Sequence, residues 1–143
     1  MTAIRTVIVY CALTGLATPA RAAPPDGKWT GEISCAKLSF TKGVAKVPMD
    51  LTVSDGRATY RREVMNADGS RIVGTEEGTG TVTSDGAISL AAIWKSATEG
   101  ARYNYTASYS GKLSGGRGTL SGTQIWSYDG KTENRNCSIA LKR

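Results

Sequence analysis

The side chains that carry most enzymatic chemistry are scarce in this 143-residue chain. It has no histidine, which removes Ser-His-Asp and Cys-His catalysis along with the commonest metal ligand. Of its three cysteines, Cys11 falls in an N-terminal leader and Cys35 and Cys137 read as a pair, so no thiolate nucleophile remains. Glu76 and Glu77 look like an acid–base couple, but neighbours on a strand point to opposite faces and cannot flank one bond. The serines and lysines form no Ser-x-x-Lys context. The chain therefore reads as non-catalytic, with no cofactor and no metal expected.

Binding chemistry is better represented. Trp94, Tyr103, Tyr105 and Trp126 offer ring faces for stacking, and Arg62, Glu76 and Gln124 offer groups that orient a ligand. Arg62 and Glu76 lie at similar distances from Asp68-Gly69, so a hairpin there sets them opposite each other. Charges facing a protein interior are costly unless paired, and these two are expected to pair. Two uses of this set stay open: a core plugged by its own side chains, or a mouth lined for a small molecule. Other motifs carry less. "GTGTV" (78–82) precedes no helix and is not a phosphate loop, and "NYT" and "NCS" fall inside strands. Arg61-Arg62 is too isolated, with no basic cluster interleaved by aromatics, to suggest nucleic acid.

The elements that must position these residues alternate with period two. "KWTGEISC" (28–35), "KVPMDLTVS" (46–54) and "RYNYTASYSGKL" (102–113) each set apolar residues against polar ones, the pattern of half-buried antiparallel strands. Filling the gaps predicts eight strands at 28–35, 46–54, 57–65, 73–83, 87–95, 102–113, 117–127 and 134–142. The stretch 89–100 also carries helical spacing (Leu90, Ile93, Trp94, Ala97), but the preceding turn favours a strand.

Asp55-Gly56, Asp85-Gly86 and Gly115-Gly116 recur every thirty residues and predict two-residue hairpins. The connections after strands 1, 3, 5 and 7 are expected to be longer. An up-and-down meander would then have one tight end and one open end. The alternation places Tyr60, Arg62, Glu76, Trp94, Tyr103, Tyr105, Gln124 and Trp126 inside, toward the open end. Val53, Val82, Ile88, Leu113 and Leu120 fall at the tight end.

The first 22 residues stand apart. A basic start, the apolar run "TVIVYCALTGL" and the "TPARA" segment read as a signal peptide cleaved near Ala22, too short to be a membrane anchor. The remaining chain, 23–143, keeps 16 of 18 Lys/Arg and all 12 Asp/Glu, a net charge of +4. Its two cysteines, in an oxidising compartment, predict one disulfide. Cys35 and Cys137 sit on the first and last strands, each in phase with the apolar face. A bond between them requires those strands to be neighbours, which closes the meander into a barrel.

Gly27-Lys28-Trp29 opening the first strand resembles the Gly-x-Trp start of lipocalins, and "GKWTGE" resembles the first strand of avidins. Both families are eight-stranded meander barrels with a ligand at one mouth. The lipocalin resemblance implies a basic residue covering that tryptophan, here Arg135, Lys142 or Arg143. The mature chain as a whole looks like small exported bacterial barrel proteins without assigned activity. "EGARY" (99–103) faintly resembles the Ser-Gly-x-Lys-Tyr loop of periplasmic lysozyme inhibitors, with Glu99 for the serine and Arg102 for the lysine.

The sequence thus leads to an all-β, eight-stranded antiparallel barrel in one domain (23–143) after a signal peptide (1–22). The expected protein is periplasmic or secreted, bacterial and monomeric, without nucleic-acid partners. Its expected role is binding a small apolar or aromatic ligand at the open end. The alternative is a protein-interaction module acting on an extracytoplasmic protein through Glu99 and Arg102.

Overall fold

A computed structural model describes residues 25–41, 43–66, 70–98, 100 and 103–143. The leader with Ala22, the Asp68-Gly69 turn, Glu99 and Arg102 lie outside the described residues. The elements are β1 (Gly27–Cys35), β2 (Ala45–Ser54), β3 (Arg57–Met65), β4 (Ile72–Val82), β5 (Ala87–Ser96), β6 (Tyr103–Ser114), β7 (Arg117–Tyr128) and β8 (Lys131–Lys142). Each strand pairs antiparallel with the next, and β8 pairs with β1, giving a closed up-and-down barrel. The stretch with helical spacing is strand through Ser96. Leu90 and Trp94 point inward, while Ile93 sits outside and 51% exposed.

Closure follows from register. Ile33 faces Ile139 and Cys35 faces Cys137, and the disulfide joins those two directly opposed residues across a sequence separation of 102. A loop of that size constrains the unfolded chain by about 4–5 kcal/mol on the entropic account. Inside, the tight-turn half is filled by a continuous apolar cluster that includes Trp29, Met49, Leu51, Leu90, Leu113 and Ile139. Outward positions along β3 and β8 are mostly polar, with Arg57, Thr59, Arg61 and Glu63 on the first and Thr132, Asn134, Asn136 and Ser138 on the second, while Ile93 and Ile125 are exposed on the outside of β5 and β7. Glu77 obeys the same alternation. It lies outside, bonded to Arg61 and Lys95, while Glu76 lies inside.

Three expectations need correction. The β4–β5 turn is not a two-residue hairpin. Gly86 N–H donates to Thr83 O (2.9 Å), Thr83 N–H donates to Ala87 O (2.9 Å), and only Gly86 takes positive φ (87°), the geometry of a longer turn ending in a bulge. The β7–β8 connection, expected to be long, is a two-residue turn of Asp129 (φ 45°) and Gly130 (φ 72°), so β8 begins at Lys131 and not at 134. The polar run Lys131–Asn134 masked it: without hydrophobic alternation a paired strand reads as loop. The open end therefore has three long connections, 36–44, 66–71 and 97–102, and one tight turn.

The third correction concerns the tryptophan of β1. Trp29 is buried, donating from Nε1 to Pro25 O (2.9 Å), but no cation lies over its ring among the described residues. Arg143 lies against Gly27, Lys142 is exposed opposite Thr30, and Arg135 points into the barrel over a different tryptophan.

Candidate functional site

The open half of the barrel is organised around Glu76, a carboxylate with no solvent exposure. Its register partner across the β3–β4 ladder is Arg62, and the two side chains form an ion pair inside the barrel. Three tyrosines complete the shell. Tyr60 Oη–H donates to Oε1 (2.6 Å), Tyr105 Oη–H donates to Oε2 (2.7 Å), and Tyr109 Oη–H reaches Oε1 at 3.2 Å. The tyrosines come from β3 and β6, so the carboxylate ties together strands distant in sequence.

Electrostatics follow the burial. Desolvation first, and then the neighbouring Glu76 charge, push Tyr60, Tyr105 and Tyr109 far above the usual phenol range, holding them as protonated donors. For Arg62, desolvation is the largest influence and works against the charge, but the Glu76 carboxylate together with Tyr105, Tyr109 and Tyr60 outweighs it, and the guanidinium is raised above its ordinary value.

A chain of hydrogen bonds leads outward from this centre. Gln124 Nε2 donates to Tyr109 Oη (2.9 Å), and Gln124 Oε1 accepts from both Trp126 Nε1 (3.0 Å) and Arg135 Nε (2.8 Å). Three donors and acceptors of one fully buried amide are thereby fixed, which fixes its orientation. The Arg135 guanidinium lies 5.0 Å from the centroid of the Trp126 ring. Burial pushes Arg135 below its ordinary pKa, and the like charge of Arg62 acts in the same direction.

Above this network the aromatic residues form a layer. Trp94 stacks on Tyr103 (centroids 5.1 Å) and Tyr105 stacks on Trp126 (4.2 Å). Leu38, from the 36–44 connection, is buried against Trp94, Tyr105 and Trp126 and so closes part of the mouth. Its loop is pinned by Glu133 on β8, which accepts from Ser39 N–H (2.8 Å) and Ser39 Oγ–H (2.7 Å), and from Tyr128 Oη–H (3.0 Å). The Ser39 hydroxyl, followed by its amide, holds Glu133 below the usual carboxylate range.

Over the layer lies an open cleft of about 970 Å³. Tyr103, Tyr105, Trp126, Arg62 and Arg135 lie along it, and its apolar walls include Val44, Val47, Val64 and Met65. All seven residues singled out from the sequence are gathered at this end, but they divide into two groups. Tyr103, Tyr105, Trp126 and Arg62 reach the cleft. Glu76 and Gln124 are sealed beneath it, and Trp94 supports Tyr103 from behind. Trp94 Nε1 and Arg62 Nε are buried without a partner.

Arg135, Tyr109 and Leu38 were not singled out as part of this site. Arg135 and Tyr109 share the inward phase of Cys137 and Tyr105, so alternation marks them as interior. Leu38 sits in a loop, where no periodicity applies. Side chains fill the lower barrel and the polar centre, and a cleft opens above the aromatic layer. No family model, curated protein or solved structure matches the chain.

Proposed function

We propose that this protein is an exported, non-catalytic binding module that takes a small molecule in the open-end cleft. The observation that carries the reading is the cleft itself: apolar walls, an aromatic floor and two guanidinium groups, a make-up typical of small-molecule sites. The floor is pre-formed. Tyr105 is tethered to Glu76 and Trp126 to Gln124, so their rings need no ordering when a ligand arrives. The buried Glu76 and Gln124 act as positioning residues, while Tyr103, Tyr105 and Trp126 supply contact.

Export is supported by the leader pattern and by the Cys35–Cys137 disulfide, which belongs to an oxidising compartment. The polar outer face argues against a lipid-facing barrel, whose exterior carries an apolar band. On this reading the protein is a periplasmic or secreted barrel of the calycin kind.

The test is a melting screen of the mature barrel against apolar and aromatic metabolites, lipids and cell-wall fragments. A ligand at a hundred times its Kd should stabilise by about 2.7 kcal/mol, a shift of several degrees. A panel that never moves the transition would overturn the reading.

One observation favours the second reading, a protein-interaction module. Phe40, Val44, Met65 and Ile72 are 45%, 60%, 45% and 43% exposed, and all four lie at the open end. Exposed apolar residues around a recess also suit a partner's inserted loop. Pull-down of a defined extracytoplasmic enzyme, lost on Phe40→Ser and Val44→Ser, would support it over the first.

A further inference from the structure

We infer that the ligand of this cleft is an amphipathic monoanion that enters head first, its charged group meeting Arg135 and its apolar body lying along Val44, Val47, Val64 and Met65. The inference rests on the cleft being a ligand site, and adds the chemical class of what it takes.

The argument begins from charge inside the barrel. Among the described residues, the charged side chains of the interior are Arg62, Arg135 and Glu76, two cations and one anion. Glu76 is committed to Arg62 and to three tyrosine hydroxyls. Arg135 is only 8% exposed, yet no carboxylate among the described residues pairs with it. Glu133 sits at the rim of the same strand, where Ser39 and Tyr128 occupy both of its oxygens.

A guanidinium withdrawn from water without a counter-charge is unfavourable, and neutral contacts compensate it only in part. Arg135 has two such contacts, the Gln124 amide oxygen and the Trp126 ring. Gln124 takes Nε and leaves the two terminal nitrogens, which bond nothing in the described protein, and Arg135 lines the cleft. Those are the nitrogens that present a fork to a carboxylate or similar oxyanion.

Position sets the orientation. Arg135 lies at the floor beside Trp126, whereas Val44 and Met65 are exposed at the cleft's outer wall. A ligand with its anion below and its apolar part above satisfies both. One negative charge also matches the net single positive charge of the interior, and Lys46 and Asp129, which line the cleft as well, are one cation and one anion and leave that balance unchanged, so a monoanion is favoured over a neutral or cationic molecule of the same shape.

The experiment is calorimetric titration of the mature, disulfide-intact barrel with matched probes: octanoate, octanol and octylamine, then naphthoate and naphthol. The anion of each set should bind at least about tenfold tighter than its neutral partner, the scale of one charge-assisted hydrogen bond, and octylamine should bind weakest. Arg135→Gln should bring anion and alcohol within about threefold of each other. Arg135→Lys should keep the preference in reduced form. If the glutamine variant fails to fold, the wild-type comparison of charged and neutral probes still decides. Equal binding of anion and alcohol in the wild type, or a preference that survives Arg135→Gln, would overturn the inference while leaving the cleft a ligand site. Binding by no member of either series would overturn both.

Discussion

Removing the charge of Glu76 probes the centre on which the site is built. Glu76→Gln keeps the shape of the side chain but deletes the ion pair with Arg62, and it turns one acceptor oxygen into a donor. Whichever way the amide sits, its NH2 group faces groups that donate in the native barrel, so a tyrosine hydroxyl must turn to accept from it or the bond is lost. Tyr60 and Tyr109 stand on one side, Tyr105 and Arg62 on the other. Breaking a buried pair by removing one partner costs about 3–5 kcal/mol, and the opposed donors place this variant near the upper end. Arg62→Met leaves Glu76 with its three tyrosine donors and should cost less, about 3 kcal/mol. The double variant should then be more stable than the sum of the singles implies, with a coupling of about 2 kcal/mol. Urea unfolding followed by tryptophan emission gives all four free energies if the m values agree. Singles that add within about 0.5 kcal/mol would show that the pair does not act as a unit and would refute the reasoning.

The same centre makes the barrel sensitive to alkali. Tyr60, Tyr105 and Tyr109 are raised from 10.0, so each contributes stability that is complete below pH 10 and is lost as the pH rises toward its folded pKa. Three protons held by the folded state alone give a slope of about 4 kcal/mol per pH unit above pH 10. Urea midpoints measured from pH 8 to 12 should fall along that slope, and Tyr60→Phe should make it shallower. Gly78 gives an independent check of packing. A Cβ there would lie 2.0 Å from Tyr60 Cε1, so Gly78→Ala must displace the ring that donates to Glu76. We expect a loss of about 1–3 kcal/mol by urea unfolding, and a neutral result would mean that the ring is not held where the structure has it.

Much of the scaffold was legible because its signals are local and periodic. Alternation in β6 put Tyr103, Tyr105, Ala107, Tyr109, Gly111 and Leu113 on one face, and of these only Gly111 is exposed. The near-symmetry of Arg62 and Glu76 about the 3–4 connection predicted their pairing, and a one-residue irregularity at Val64/Met65 did not disturb it. Two conditions hid the rest. Turn chemistry misled where composition was misleading: Asp129-Gly130 has the same residues as Asp55-Gly56, but the polar start of β8 hid the strand behind it. Depth misled at the site, since alternation gives a side chain's face and not its height along the barrel axis. Glu76, Gln124 and Tyr105 therefore read alike, although two are sealed and one reaches the cleft. Leu38 was beyond reach, since its burial depends on Glu133 pinning Ser39 across 94 residues.

The central claim is that the open end receives a small molecule on the Trp126 side of the aromatic floor. Single-tryptophan variants test it most directly. One keeps Trp126 (Trp29→Phe, Trp94→Phe), and the other keeps Trp29 (Trp94→Phe, Trp126→Phe), whose indole is buried in the tight-turn cluster. Titrated with naphthoate and octanoate, the Trp126 protein should change emission saturably and the Trp29 protein should stay constant. A silent Trp126, or an equal response from Trp29, would contradict the account.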